Sequence, residues 1–404
     1  MASTTNFRGL QVFQPAPPGP GGADISNNFI DLVTWNPQSQ WAGTAVPTAG
    51  DDSTQNYFPG SFWLNTGSGT GTSQIYVCSD NTASAAIWLP VMRIQSNGAI
   101  TVPDAPGSVA GNARGKYAVD LQAARNAATQ VAAAGYSIVI GNSCTANGSY
   151  GCMAIGYSCT SSGRFGCTSI GYDCTSSGKY GCTSSGYGCT SSGKYGCTSI
   201  GYGCTSSGKY GCTSIGIDCV SSGNYGCTAI GFNSIASGAY STAFGANSTA
   251  NHDGELAFSP RGETWQSSVF SFGAGTTDAT QTELTTDGHA PNANALGASP
   301  NTNRFLLEAK TYGCIVTICA RQSGGSNVAM YRREFYVSQD TNGNVTLSAV
   351  DTIGTDKVTA GFSGLAVAIA TDTTAKALKI LVTGLASTTI NWIATVDAAI
   401  INVN

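Results

Sequence analysis

A fifteen-residue motif recurs along the chain between Gly141 and Gly245 and restricts the possible folds. Twelve cysteines, running from Cys144 to Cys227, alternate at spacings of eight and seven residues. Glycines recur every fifteen residues, at Gly156, Gly171, Gly186, Gly201, Gly216 and Gly231. A fixed period of this kind is typical of architectures built by stacking one small unit on itself.

Each half-repeat predicts a short strand followed by a corner. Residues 197–200 are small or β-branched, and the glycine-containing segment 201–203 follows them. Two strands and two corners make one coil of a parallel β-solenoid, whose coils stack about 4.8 Å apart. We therefore predict an all-β protein organised around a β-roll over residues 136–252.

Side-chain alternation divides each strand into two faces. Thr198 and Ile200 share one face, which we expect to point inward, and the intervening cysteine and serine take the other. Only small side chains occur, so the roll is thin and buries little apolar area, at about 25 cal/mol per Å². Packing against identical rolls compensates for this, and a homotrimer is expected.

The segment GCTSIGYGCTSSGKYGCTSIG resembles the NSVAIG-type repeats of trimeric autotransporter adhesin heads and of many phage tail fibres. That resemblance implies a left-handed parallel β-roll with three chains side by side. Cysteine here occupies positions where the pattern has serine or alanine, and threonine often replaces valine.

Composition narrows the class of protein. Charged residues are only 10% of the chain and the net charge is −4, so no basic excess exists to neutralise nucleic-acid phosphates. No apolar run is long enough to span a membrane, and the first residues lack a signal-peptide core. A bacterial adhesin needs both a signal and an anchor, so we expect a virion protein made in the bacterial host cytoplasm.

The first 110 residues predict an arm and a small β domain. Residues 1–25 include the proline- and glycine-rich stretch 14–22, which indicates either an arm docking on other tail or baseplate proteins or a disordered terminus. Residues 26–110 contain three strand-like segments, at 58–66, 74–78 and 86–91. This part resembles modules near the front of phage tail fibres and tailspikes. Trp63 and Trp88 are expected in its core rather than on glycans.

Residues 111–135 form an alanine-rich connector that could be helical, although it is too short for a stable isolated helix. The segment AVDLQAARNAATQVAAAGYSIVIG resembles the entry to the β-roll in phage tail proteins. Gln122 and Arg125 are expected either to bond between chains or to lie on a solvated surface.

The roll cysteines could be small core thiols, disulfides formed after release, or metal ligands. Geometry favours small core thiols. Neighbouring coils place thiols at a tolerable separation but a poor approach angle for a disulfide, and the host cytoplasm is reducing. Flat rows without a nearby histidine do not converge as a zinc tetrahedron. No metal or other cofactor is predicted.

Aromatic and cationic residues also recur once per coil. One ladder of the roll combines cations and rings and is a candidate glycan-facing surface, comprising Arg164, Lys179, Lys194, Lys209, Tyr180, Tyr195 and Tyr210. The alternative is that the rings cover the corners while the lysines maintain solubility. Thr-rich solenoids can also bind ice, which would need an exposed threonine array.

Residues 253–404 lose the glycine period and predict about seven longer strands in a jelly-roll-like β-sandwich. The predicted strands cover residues 305–309, 314–321, 328–337, 345–350, 365–371, 378–383 and 390–401. The stretch from GELAFSPRGETWQSS to INWIATVDAAII resembles a C-terminal domain that follows β-rolls in phage tail fibres, which implies a knob at the tip. Candidate receptor contacts lie in two predicted loops and are Ser323, Gly324, Gly325, Asn327, Asp340, Asn342 and Asn344.

Catalytic signatures are weak. The chain has two histidines, His252 and His289, and neither a Gly-x-Ser-x-Gly elbow nor an HExxH motif. We expect His252 to be a hydrogen-bonded residue at the junction of roll and knob. The prediction is a tail fibre, not an enzyme, that attaches to a host-surface polysaccharide or outer-membrane component. One alternative is a polysaccharide-cleaving tailspike, which would need two catalytic carboxylates, and nothing in the sequence pairs two such residues. Another alternative is a head fibre without a receptor role.

Overall fold

The computed structural model describes residues 5–7, 10–12, 40–66, 73–102, 109, 111–259, 265–289 and 303–402. The protein is all-β, as predicted, with two 3-10 turns and no α-helix in these residues. The chain divides into two units, residues 1–106 and 107–404. Most of the arm predicted over residues 1–25 lies outside the described ranges.

The first unit consists of antiparallel strands with one parallel pairing, β3 with β4. Its strands are β1 (Thr5–Phe7), β2 (Leu10–Val12), β3 (Gln40–Gly43), β4 (Phe62–Asn65), β5 (Ser73–Asp80), β6 (Ile87–Ile94) and β7 (Ile100–Thr101), with a 3-10 turn at Ser53–Gln55. Trp63 and Trp88 pack edge to face against each other and both contact the buried Tyr57. Their indole N–H groups donate to backbone carbonyls, and both side chains are partly buried in this aromatic cluster.

The second unit begins with the predicted solenoid, in which each coil contributes one long and one short strand. The long strands are β8 (Val119–Ala124), β9 (Ile138–Asn142), β11 (Met153–Tyr157), β13 (Thr168–Tyr172), β15 (Thr183–Tyr187), β17 (Thr198–Tyr202), β19 (Thr213–Ile217), β21 (Thr228–Phe232), β23 (Thr242–Ala246) and β25 (Leu256–Ser259). The short strands are β10 (Thr145–Ala146), β12 (Thr160–Ser161), β14 (Thr175–Ser176), β16 (Thr190–Ser191), β18 (Thr205–Ser206), β20 (Val220–Ser221), β22 (Ile235–Ala236) and β24 (Thr249–Ala250). Each set forms one parallel sheet.

The coils stack in strict register. Thr198 lies opposite Thr213, fifteen residues on, and the last two coils shorten by one residue, with Thr228 opposite Thr242 and Thr242 opposite Leu256. Gly201 turns the chain with a φ of +126°, and a Cβ there would collide with the carbonyl oxygen of Gly216 in the next coil. Stacking at the strand spacing therefore requires the periodic glycine.

The expectation that Thr and Ile face inward is wrong. The twelve roll cysteines and the inward residues of the long strands, such as Ser199 and Ala229, are at most 1% exposed, whereas Thr198 is half-buried and Ile200 is 40% exposed. Ser199 Oγ donates to the carbonyl of Thr190 at 2.6 Å and so spans the narrow interior. A lumen this thin excludes an isoleucine side chain, and the bulkier alternate face therefore points outward.

The connector, proposed as a possible helix over residues 111–135, contains a strand instead. β8 pairs in parallel with β9, because the edge of the solenoid offers unpaired backbone groups that outweigh alanine's helix preference. Gln122 is fully buried and exchanges hydrogen bonds with the backbone of Cys144. Arg125 is also buried, and its guanidinium donates to the carbonyl of Gln122. Both expectations for these two residues, an interchain bond or a solvated surface, are therefore wrong.

The remainder of the second unit is the predicted sandwich. Its strands are β26 (Trp265–Thr276), β27 (Gln281–Glu283), β28 (Phe305–Leu306), β29 (Lys310–Gln322), β30 (Val328–Gln339), β31 (Val345–Leu347), β32 (Asp351–Thr352), β33 (Lys357–Val358), β34 (Ala366–Asp372), β35 (Ala377–Thr383) and β36 (Ile390–Asn402), with a 3-10 turn at Ala360–Phe362. The larger antiparallel sheet runs β26–β36–β29–β30, with β31, β32 and β33 along its edge. In the smaller sheet β35 pairs with β27, β28 and β34. Phe270, Ile318 and Trp392 from the larger sheet pack with Phe305 and Ile380 from the smaller one.

The solenoid and the sandwich share one sheet. The last long strand, β25, pairs with β26 in antiparallel fashion, with Leu256 opposite Val269. The larger sandwich sheet therefore continues the long-strand sheet of the roll through backbone hydrogen bonds. This pairing fixes the knob to the end of the shaft.

Candidate functional sites

The predicted cation–aromatic ladder is present on one corner of the roll. Adjacent rings from Tyr150 to Tyr240 stack with centroids 5.0–5.8 Å apart and nearly parallel planes. Arg164 Cζ lies 5.4 Å from the centroid of the Phe165 ring, and the Nζ atoms of Lys179, Lys194 and Lys209 lie 5.1–5.4 Å from the ring that follows each. The structure thus brings all seven predicted ladder residues together.

A second aromatic stack occupies another corner. Tyr157, Tyr172, Tyr187 and Tyr202 are all exposed, with centroids 4.8–5.0 Å apart. No cation accompanies this stack, since the next residue is Ser158, Asp173 or a glycine. The two stacks therefore differ in charge although their rings have the same spacing.

The cysteines form two columns inside the roll. Each thiol from Cys152 to Cys212 in the second column donates to a glycine carbonyl of the next coil, as from Cys197 Sγ to Gly208 O at 3.1 Å. Burial raises the pKa of Cys204 in the first column to about 11. All twelve are free thiols, and no cluster of three or more metal-ligating side chains occurs in the described ranges. The arrangement is that of small, hydrogen-bonded core residues.

His252 lies at the junction, as predicted, and bonds on both sides of its ring. Nδ1 is 2.9 Å from Glu255 Oε2, and Nε2 is 2.6 Å from the carbonyl oxygen of Leu306. Burial alone would lower its pKa, but the hydrogen bond and charge of Glu255 outweigh burial and hold the pKa above its usual value. Glu255 also accepts from Ser268, so the cluster joins the last coil to β26 and to β28.

The two candidate receptor loops do not form one surface. Loop 323–327 precedes β30 and loop 340–344 follows it, so the twelve-residue strand separates them by about 35 Å. Asp340 accepts hydrogen bonds from the side-chain amide and the backbone N–H of Asn344 and from the backbone N–H of Asn342. The two bonds from Asn344, the side-chain bond first, lower the pKa of Asp340. The strand register places loop 340–344 at the end of the larger sandwich sheet where β26 pairs with β25 of the solenoid. Loop 323–327 lies at the opposite end of that sheet.

Three partly buried carboxylates of the knob are engaged in ion pairs. Glu283 and Asp372 both bind Arg304, at 2.8 Å and 3.1 Å, and Arg304 itself is buried. Glu308 pairs with Lys310, whose hydrogen bond and charge outweigh burial and lower the Glu308 pKa. Each of these three carboxylates is therefore paired with a cation.

An exposed apolar stripe that was not predicted from the sequence extends from the roll onto the knob. Ile170, Ile200, Phe244 and Phe258 point outward along the long-strand sheet and are 38–47% exposed. On the larger sandwich sheet, Ile393 and Met330 flank Cys319 on the outer face. The glycine period had revealed the strands, but only the burial of cysteine and serine shows that the other face is outward.

The fold and these surfaces define an all-β protein whose solenoid shaft carries a sandwich knob. Within the described residues, no helix is long and apolar enough to cross a membrane. No family model matches the chain, and no curated protein matches it.

Three solved structures show a distant similarity, and all are phage tailspikes. The tailspike of Acinetobacter baumannii phage AM24 is 9% identical, with 89% of this chain and 94% of that chain covered and a TM-score of 0.18. That of Acinetobacter phage vB_ApiP_P1 is 8% identical, with 90% and 98% covered and a TM-score of 0.16. Tailspike gp49 of Acinetobacter baumannii bacteriophage Fri1, a capsular polysaccharide depolymerase, is 10% identical, with 85% and 95% covered and a TM-score of 0.20. TM-scores this low do not establish a shared fold, so the fold assignment rests on the chain's own geometry.

Proposed function

We propose that this chain is a homotrimeric bacteriophage tail fibre that attaches the virion to the host surface. Its N-terminal part joins the tail or baseplate, the roll acts as a stiff spacer, and the knob contacts the host. The observation that carries the proposal is the β25–β26 pairing, which continues the shaft sheet into the knob. A knob fixed in this way keeps a defined position at the end of the shaft, which a receptor-binding tip requires.

The exposed apolar stripe supports the trimer. Exposed apolar area of this extent along a sheet is unusual for a monomer and typical of a surface that another protein covers. The stripe has exposed apolar residues on both the roll and the knob, so a copy of the same chain in parallel register would cover both parts at once. Light scattering of the purified protein should give three times the monomer mass.

A matched pair of variants tests this interface. Replacing Ile200 and Ile393 by lysine places charge in the stripe and should give monomers. Replacing the exposed Tyr187 and Tyr202 by lysine adds the same charge at the other corner and should leave the mass unchanged. A monomeric wild-type protein, or equal dissociation of both variants, would contradict the proposed interface.

Attachment itself is tested with the full chain on a panel of bacteria with defined surface polysaccharides. Fluorescently labelled protein should adsorb to strains carrying the receptor. Substituting Asn342 and Asn344, or Ser323 and Asn327, by alanine should reduce adsorption if the loop concerned makes the contact. Adsorption that neither substitution changes would move the contact away from these loops, and failure to adsorb to any strain would favour the head-fibre alternative.

The tailspike alternative predicts catalysis. Incubating the chain with capsular polysaccharide from an adsorbing strain would release new reducing ends if it were a depolymerase. We expect none, because Glu283, Asp372 and Glu308 are held in ion pairs. Release of oligosaccharides would overturn the non-enzymatic proposal while leaving host attachment intact.

A further inference from the structure

All the cations of the roll lie in one row. Between residues 141 and 250 the only basic residues are Arg164, Lys179, Lys194 and Lys209, and the only acidic residues are Asp173 and Asp218. The backbone N–H groups of Phe165, Tyr180 and Tyr195 each donate to the carbonyl of the lysine one coil on, which holds the row in register. Successive cations are therefore one strand spacing apart, about 4.8 Å.

No acidic side chain balances this row. None of the ion pairs among the described residues includes any of the four cations. Asp173 and Asp218 occupy the corner that follows the long strand and have positive φ angles, whereas the cations lie on the corner that precedes it. Like charges at this spacing repel one another. Placing the cations on different corners of the coils would reduce this repulsion and leave the solubility of the protein unchanged.

We propose that the row binds a linear acidic polysaccharide along the shaft. Carboxylates on successive sugars of an extended chain recur at a spacing comparable to the coil pitch, so several can be neutralised at once. The exposed edges of the stacked rings add hydrogen-bonding and apolar contact beside each cation. This site deepens the proposed function by adding a second host contact, but its binding does not depend on the knob.

The ring geometry favours a polysaccharide over a single-stranded nucleic acid. Proteins that bind single strands stack bases on open aromatic faces. Here the faces of Tyr180, Tyr195 and Tyr210 are covered by neighbouring rings, with centroids 5.0–5.2 Å apart and planes within 11° of parallel. No base can insert between them, whereas a sugar chain can lie across their edges.

The test uses the full-length protein, with polygalacturonate as probe and its fully methyl-esterified form as the neutral probe. Electrophoresis in native gels that contain either polymer measures binding. The wild-type protein should be retarded by polygalacturonate alone, and the retardation should weaken as ionic strength rises to about 0.15 M, where charges are screened beyond roughly 8 Å. Equal retardation by the neutral polymer would overturn the proposal.

Three variants isolate the row. Changing Arg164, Lys179, Lys194 and Lys209 together to glutamine should weaken binding to polygalacturonate about tenfold or more. Changing Arg332, Lys357, Lys376 and Lys379 to glutamine removes the same charge from the knob and should leave binding within about twofold. Changing the three row lysines to arginine keeps the charge and should preserve binding. Unaltered binding by the first variant would overturn the assignment.

An oligothymidylate separates the two kinds of polyanion. If it binds as tightly as polygalacturonate and loses affinity in the first variant, the row is a general anion surface and the assignment to polysaccharide is wrong. Attachment of the knob to bacteria is measured separately, by adsorption. A glutamine variant that loses polygalacturonate but still adsorbs to bacteria confirms the row and leaves the proposed attachment through the knob standing.

Discussion

His252 Nε2 donates a hydrogen bond to the carbonyl oxygen of Leu306 at 2.6 Å, across the boundary between roll and knob. Its other ring nitrogen faces the Glu255 carboxylate. Since both neighbours can only accept, the doubly protonated ring satisfies both contacts. When both ring nitrogens carry protons, the junction between shaft and knob contains a buried imidazolium with an acceptor on each side.

This arrangement predicts a pH-dependent junction. The folded pKa of His252 is raised above the ordinary value of about 6.5, so its contribution to stability is fully present below that pH and is lost as pH rises through the folded pKa. As the pH rises above about 6.5, the melting temperature of the wild-type protein should fall relative to that of His252→Gln. His289 is 62% exposed, and His289→Gln should keep the wild-type profile. Parallel profiles for the wild type and His252→Gln would contradict the role of His252.

The periodic glycine is predicted to be indispensable where coils touch. Gly201→Ala adds a Cβ that meets the carbonyl of Gly216 in a left-handed backbone conformation, and should destabilise by about 2–4 kcal/mol. Gly196 also has a positive φ, but a Cβ there meets nothing within 4 Å. Gly196→Asn should therefore destabilise by less than about 1 kcal/mol, because asparagine tolerates this conformation. Chemical denaturation of both variants measures the difference, and similar losses would show that the coil contact is not limiting.

Thiol chemistry provides a third prediction. All fifteen cysteines are free in the structure and all except Cys319 are buried, so an aromatic disulfide reagent should modify at most one thiol per native chain. After denaturation it should modify fifteen. Adding a reducing agent should leave the melting temperature unchanged. A count that falls by two for each oxidised pair, restored by reduction, would indicate disulfides between stacked coils.

The Arg304 cluster predicts a large loss of knob stability. Arg304→Gln leaves the Glu283 carboxylate, whose side chain is 9% exposed, without its cation, and should destabilise by about 3–5 kcal/mol. Arg333 forms the comparable pair with Asp356, whose side chain is 33% exposed. Arg333→Gln should therefore lose only about 1 kcal/mol. Equal losses would mean that solvent screens the two ion pairs alike.

Local chemistry allowed several features to be read from the residues alone. The glycine and cysteine period predicts the coils, because stacking identical strands requires identical side chains at each level. The seven predicted sandwich strands are all present, since their apolar residues alternate at least in part. β26 was missed, because serines and glycines interrupt the apolar residues of WQSSVFSFGAGT.

The sequence predicts correctly that the ladder residues lie together, but it does not show that the two candidate receptor loops lie apart. The ladder repeats with the coil, so its cations and rings lie together once the coil period is known. Loops 323–327 and 340–344 are close in sequence, yet the twelve-residue strand β30 lies between them and places them at opposite ends of the sheet. Sequence proximity does not predict spatial proximity across a long strand.

Spacing and residue type are enough to predict the repeat, its β-solenoid class, the all-β knob and the rows of thiols, rings and cations. The three-dimensional fold was needed to show which strand face is inside, what Gln122 and Arg125 bind, and that β25 pairs with β26. Alternation is symmetric between the two faces of a strand. The width of the lumen breaks that symmetry, and that width exists only when two sheets close around it.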